Sequence, residues 1–210
     1  MQASIIIAIL SALTISASAA PVAERSSNLQ CSAYDGGQSI SLFFQSQSSY
    51  ALAFDPNDKK DGHAKLKALK STPHKFQFFH CQAPSDKYAS QEGDTQYPAL
   101  YGQLRSVAHP DMCATAGHVL KKTGKSKSEE YPPNSDGTIT LQPCATEHNL
   151  QLRLQWFGIA TEPDRLPPLL WVQGWKTDVS EDAFVVGDDS SVSPTTNGPG
   201  PKKYGLYYGP

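Results

Sequence analysis

Four cysteines are the residues of this sequence whose spacing most directly predicts chemistry, and they are Cys31, Cys81, Cys113 and Cys144. An even number of thiols can pair as disulfides, and three pairings are formally open. We expect sequential pairing, Cys31 with Cys81 and Cys113 with Cys144, because each bridge then closes one supersecondary unit. Zinc is the alternative for four cysteines, but no CxxC spacing occurs, so no metal site is expected.

The titratable side chains form no recognisable catalytic motif. None of the six histidines pairs with another at i+4, and no Gly-x-Ser-x-Gly, His-Glu-x-x-His or phosphate loop occurs. Adjacent carboxylates, which are typical of solvated loops, occur at Glu129/Glu130, Glu181/Asp182 and Asp188/Asp189. Glycosidase chemistry, which needs two carboxylates held about 5–10 Å apart, stays an open alternative. We expect no catalytic residue and no cofactor, and an enzyme that acts on glycans is the least favoured function.

The N-terminal segment predicts the compartment. Residues 5–10 form a continuous apolar run, which becomes less apolar over residues 11–20 and ends in the small residues Ala17-Ser18-Ala19-Ala20. Such a run before an Ala-x-Ala pattern is typical of a secretory signal peptide and is too short to span a bilayer. We therefore expect a signal peptide over residues 1–19, a secreted, extracellular protein and a single domain over residues 29–210.

The composition indicates the fold class and excludes some partners. Sixteen prolines and fifteen glycines, scattered without a period, indicate many turns and few long helices. A formal charge of −2 means that the chain has no excess of positive charge with which to bind nucleic acid or an anionic membrane. No second apolar segment predicts a membrane span.

Short apolar runs between turn residues predict three sets of four β-strands after an edge element at 29–34. The first set is 39–44, 50–54, 64–70 and 74–81; the second is 100–107, 112–116, 138–144 and 152–159; the third is 169–175, 183–186, a weak element in 190–200, and 202–208. The turn residues 55–58 are expected to stop the second strand. Over residues 64–70, lysines on one side alternate with aliphatic residues on the other, which predicts a half-buried strand, although a short helix could use the same residues.

The three sets form an internal repeat of about 50 residues, over about 39–81, 99–159 and 169–208, and the third copy is degenerate. Three four-stranded units can close into a barrel capped by hairpins, which removes exposed sheet edges. A two-sheet sandwich is the alternative, although a sandwich does not call for threefold repetition.

The segment 111–159 resembles a known family. Cys113-Ala114-Thr115-Ala116, then the run from Ile139 to Cys144, then Leu154-Gln155-Trp156 resemble one repeat of the ricin B-chain type of β-trefoil. The resemblance implies an all-β, disulfide-stabilised fold of three repeats that binds carbohydrate.

The same resemblance implies where a sugar would bind. The family commonly has an aspartate two residues after the first cysteine, and here that residue is Thr115; Gln155 also stands directly before Trp156, one position later than the family motif. Candidate substitutes for this carboxylate in the first and third repeats are Asp55 and Asp188, each just past the second strand of its repeat. For both, an aspartate that caps its own turn is the alternative interpretation.

Sugar binding also requires a flat apolar face on which the ring can stack. Tyr131 on a loop is one candidate, and Trp171 and Trp175 project to the same face of one strand. Trp156, which lies between apolar neighbours, is expected in the core. The predicted function is a secreted, lectin-like protein with a partly degenerate site and a glycan or glycoprotein as its partner.

The alternative function is a trefoil that binds a protein. The chain resembles protease inhibitors of the Kunitz soybean type in length, expected fold and number of cysteines, but its second disulfide loop is longer. A protease would then be the partner, and the polar insertion 121–137 would be the inhibitory loop. A long polar loop with no partner is the alternative interpretation of that insertion.

Overall fold

The computed structural model describes residues 29–44, 47–69, 72–82, 99–117, 137–161, 168–176, 179–181, 183–195 and 202–209. In this part of the chain the protein is all-β, with fourteen strands and one short helix. The strands of the first half are β1 (Gln30–Ala33), β2 (Gln38–Phe44), β3 (Gln47–Lys60), β4 (His63–Leu69), β5 (Lys75–Gln82), β6 (Ala99–Ser106) and β7 (Met112–Ala116). Those of the second half are β8 (Ile139–Pro143), β9 (Phe157–Ala160), β10 (Leu169–Lys176), β11 (Val179–Glu181), β12 (Ala183–Val186), β13 (Val192–Thr195) and β14 (Gly205–Tyr208), and the helix is α1 (Leu150–Leu154).

Six of the strands pair in a closed cycle. β2 pairs with β5, β5 with β6, β6 with β9, β9 with β10, β10 with β14, and β14 again with β2, all antiparallel. Three hairpins connect members of this cycle: β3–β4, β7–β8 and β12–β13. Strand β1 adds to β5, and β11 adds to β10.

The apolar side chains form two clusters. Alternation along the strands directs one set into a large central cluster, which includes Leu42, Phe76, Phe78 and Phe157. A second cluster is built around Trp156 and Trp171 and includes Leu152 of α1. Trp156 is fully buried, so its predicted place in the core is confirmed.

Both predicted disulfides are present. Cys31 and Cys81 lie directly opposite each other on β1 and β5 and are bonded. Cys113 of β7 is bonded to Cys144, which follows the end of β8. Each bridge closes one hairpin-containing unit, as the sequential pairing predicts.

Two of the strand predictions are wrong. Residues 150–154 form helix α1, so the predicted strand 152–159 shortens to β9; the Asn149 side chain accepts a hydrogen bond from the Leu152 N–H (3.1 Å) and caps the helix. The turn residues 55–58 do not stop β3, because the pairing with β4 skips residues 56–58 and resumes at Lys59, an irregularity that we call the β3 bulge. A bulge tolerates the missing N–H of Pro56 without ending the strand.

The weak element predicted within 190–200 is β13. Among the described residues its strand partner is β12, and Pro194 stands opposite Phe184. A two-stranded hairpin tolerates a proline because one side of each strand needs no ladder hydrogen bond.

Candidate ligand-binding surface

A compact charged cluster joins the β3–β4 hairpin to the β12–β13 hairpin. It consists of Asp58 on β3, Lys65 and Lys67 on β4, and Asp189 in the β12–β13 turn. The Lys65 ammonium lies 2.7 Å from an Asp58 oxygen and 2.5 Å from an Asp189 oxygen. Lys67 contacts the Asp58 carboxylate and lies 3.5 Å from Asp189. Two positive and two negative charges therefore balance within the charged cluster.

Local sequence explains how the two lysines come together. Lys65 and Lys67 are two residues apart on a strand and so project to one face, while Leu66 between them is buried in the core. The bulge in β3 places Asp58 within reach of both ammonium groups. Lys65 and Lys67 share the strand face opposite Leu66, yet their side chains are only 14% and 6% exposed.

Asp189 is held by its own turn as well as by the lysines. One carboxylate oxygen accepts hydrogen bonds from the N–H (2.9 Å) and the hydroxyl (2.5 Å) of Ser191. The Ala68 N–H donates to the Ser190 carbonyl (2.9 Å), and Ser190 has a left-handed backbone with φ of 65°. The turn is therefore fixed to β4 by backbone as well as side-chain contacts.

These contacts hold the carboxylates in their charged form. Hydrogen bonds from Lys65, and then from Ser191, lower the pKa of Asp189 far below its ordinary value. Hydrogen bonds from Lys65 and Lys67 likewise lower the pKa of Asp58, and Asp189 followed by Asp58 raises the pKa of Lys65. The charged cluster thus presents fixed donors and acceptors, with the Asp58 and Asp189 side chains 34% and 47% exposed.

The two predicted carboxylates, Asp55 and Asp188, each neighbour a member of this cluster. Asp55 stands opposite Lys65 in the β3–β4 pairing, and Asp188 directly precedes Asp189 in the turn. Asp55 accepts a hydrogen bond from the Asn57 N–H (2.9 Å), which is the backbone-capping interpretation of that residue. Asp188 is exposed. The fold therefore brings together the β3–β4 and β12–β13 hairpins, which carry these aspartates.

Trp171 does not offer an exposed stacking face. It is 5% exposed, its indole meets the Tyr101 ring edge-to-face with centroids 6.0 Å apart, and its N–H donates to the Gln173 side chain (3.0 Å). The prediction of a solvent-facing platform is wrong for this residue, because Gly158 opposite it has no side chain and the indole fills that space. Trp175 belongs to β10, but its side chain is outside the described part of the structure. Tyr131 and residues 121–136 of the inhibitory-loop candidate 121–137 are also outside it.

Thr115, at the position where the family resemblance implies a sugar-binding aspartate, is fully buried. Its hydroxyl donates to the Cys113 carbonyl (3.1 Å) and accepts from the Gln155 amide (3.0 Å). Gln155 also donates to the Pro143 carbonyl (2.8 Å) and accepts from the Ala145 N–H (2.7 Å). Thr115 and Gln155 therefore belong to a satisfied internal hydrogen-bond network, and this network offers no carboxylate to a ligand.

Sequence reasoning missed all four members of the charged cluster as a unit. The alternation of Lys65 and Lys67 is visible in the sequence. Of their partners, Asp58 lies at least 7 residues before them and Asp189 at least 122 residues after them. Within the described ranges, no group of three or more His, Cys, Asp or Glu side chains is arranged to hold a metal ion. Nor does any helix there have the length and apolar character to cross a membrane.

Comparisons of the chain with protein-family models, curated proteins and solved structures found no match.

Proposed function

We propose that this protein is a secreted β-trefoil that binds glycans through the edge formed by its β3–β4 and β12–β13 hairpins. The observation that carries the proposal is the strand pairing. Six strands pair cyclically, and along the chain one hairpin lies between β2 and β5, one between β6 and β9, and one between β10 and β14. This is the order expected of three four-stranded repeats. The two disulfides support an oxidising, extracellular destination.

The binding edge is proposed at Asp188 and the charged cluster beside it. A sugar hydroxyl both donates and accepts hydrogen bonds, so it is matched by carboxylate acceptors next to ammonium donors. Asp188 projects from a turn in which the Ser190 N–H donates to the Gly187 carbonyl (2.8 Å) and the Gly187 N–H donates to the Ser191 carbonyl (2.9 Å). Because that turn is already fixed, little conformational entropy is lost when its carboxylate binds a ligand.

A glycan array tests this proposal with the wild type, Asp188→Ala and the double variant Asp55→Ala/Asp188→Ala. A hydrogen bond to a charged group contributes about 1.5–3 kcal/mol, so loss of the Asp188 carboxylate should weaken binding about 10- to 150-fold. Asp55 is already bonded within its own turn, so the second substitution should add a smaller loss.

Asp111→Ala is the matched control, since Asp111 is also exposed but lies in the turn between β6 and β7. It should bind every glycan as the wild type does. Absence of any bound glycan on the wild type, or equal binding by Asp188→Ala and Asp111→Ala, refutes the proposed site. Circular dichroism of each variant separates a lost site from a lost fold.

A further inference from the structure

Three aromatic rings pack together at the junction between β2 and the segment before β14, and an ammonium group lies over two of them. Phe44 ends β2, Tyr50 lies in β3, and Tyr204 directly precedes β14. The Lys202 ammonium lies 3.8 Å from the Phe44 ring centroid and 5.2 Å from that of Tyr204. Both distances are within the roughly 6 Å range of a cation–π interaction. We call the three rings the aromatic box.

The box is fixed by the fold rather than by the lysine. The centroid of the Tyr204 ring lies 5.6 Å from that of Tyr50, in an edge-to-face contact, and 6.1 Å from that of Phe44, in a tilted contact. Tyr204 is nearly buried, and its backbone exchanges two 2.9 Å hydrogen bonds with Phe184. Phe44 and Tyr50 are partly buried against the central cluster. The rings would therefore keep their positions if Lys202 withdrew.

Lys202 is an exposed residue on the box. A primary ammonium keeps three N–H donors that water solvates strongly, and ordering a lysine side chain costs about 2 kcal/mol of rotamer entropy. A methylated ammonium carries fewer donors or none, so it loses less hydration against aromatic faces. Such a group would make the same contacts at a smaller desolvation cost.

We propose that the aromatic box is a binding site for methylated ammonium groups, and that Lys202 occupies it as a tethered competitor. The proposal is independent of glycan binding, because the aromatic box and the charged cluster share no residue. Lys202 lowers the apparent affinity of the site for an external cation. Removing its side chain opens the site.

Titration with choline, followed by amide chemical shifts of the ¹⁵N-labelled protein, tests this inference. Lys202→Ala should bind choline about fivefold more tightly than the wild type, since an exposed cation–π contact of about 1 kcal/mol corresponds to that factor. The neutral isostere 3,3-dimethylbutan-1-ol should bind more weakly than choline to the same variant. Lys75→Ala, which removes an exposed lysine from β5, is the charge-matched control and should behave as the wild type.

Phe44→Leu in the Lys202→Ala background keeps an apolar side chain but removes one aromatic face. It should abolish the preference for choline over the isostere while the protein stays folded. Equal binding of choline and its isostere by Lys202→Ala, or equal choline affinity of Lys202→Ala and the wild type, overturns the proposal. If choline binds, co-sedimentation with phosphatidylcholine vesicles distinguishes a lipid headgroup from a free ligand as its source.

Discussion

The substitution Gly158→Ala measures how tightly the second apolar cluster is packed. A Cβ atom at this position would lie 2.1, 2.2 and 2.4 Å from the Cε2, Cζ2 and Nε1 atoms of Trp171. Optimal carbon–carbon separations are about 3.5–4.0 Å, so the indole or the β9 backbone must move by more than 1 Å. Trp171 has little room to yield, because it is bonded to Gln173 and packed against Tyr101.

The expected cost follows from these contacts. Overpacking a core typically costs about 1–3 kcal/mol, and loss of the indole hydrogen bond adds about 1 kcal/mol. We expect Gly158→Ala to lower the free energy of unfolding by about 3 kcal/mol. For a domain of this size, that lowers Tm by about 6–12 °C.

Urea and thermal unfolding with both disulfides intact measure this difference. Gly36→Ala is the matched control, because nothing lies within 4 Å of a Cβ built at Gly36. Its stability should stay within about 0.5 kcal/mol of the wild type.

A double-mutant cycle then identifies the cause. In a Trp171→Leu background, the alanine at position 158 no longer meets an indole, and its additional cost should fall below about 1 kcal/mol. Equal stability of Gly158→Ala and Gly36→Ala, or an unchanged cost of Gly158→Ala when Trp171 is replaced, would refute overpacking against the indole as the cause.

Two further predictions concern hydrogen bonds that join distant parts of the chain. The lysine and serine partners of Asp189 lower the pKa of its carboxyl group. The contribution of Asp189 to stability is therefore present above the unfolded pKa of 3.8 and is lost as the pH falls below that value. Asp189→Asn should flatten the acid limb of a pH–stability curve, whereas Asp188→Asn should not. The Tyr208 hydroxyl donates to Asp35 (2.5 Å) and accepts from the buried Phe78 N–H (3.1 Å), so Tyr208→Phe should cost about 1–3 kcal/mol in urea unfolding. Burial, and then Asp35, raise the pKa of Tyr208. The wild type should therefore lose the stability contributed by Tyr208 above about pH 10. A pH–stability curve of Tyr208→Phe with an alkaline limb like that of the wild type would contradict this role of Tyr208.

Periodicity and cysteine spacing in the sequence predicted much of the local structure. Alternation of apolar residues located most strands, because one face of each strand must be buried. It failed at 152–159, where Leu150, Leu152 and Leu154 are buried as in a strand, but the Asn149 cap starts a helix. The bulge in β3 was also missed, since a turn-forming Asp-Pro sequence does not reveal that a neighbouring strand continues to pair.

The sequence alone predicted an all-β chain, because strand periodicity is a local property, and it favoured sequential pairing among the three possible pairings of its cysteines; the structure decided that pairing. Only the tertiary structure decided which charges meet. Lys65 and Asp189 are 124 residues apart, and their contact exists because the β3–β4 hairpin packs against the β12–β13 hairpin. The same holds for Trp171, whose aromatic ring is buried because a glycine on the neighbouring strand leaves room for it. A residue type can indicate chemistry, but exposure and partners depend on contacts between distant segments.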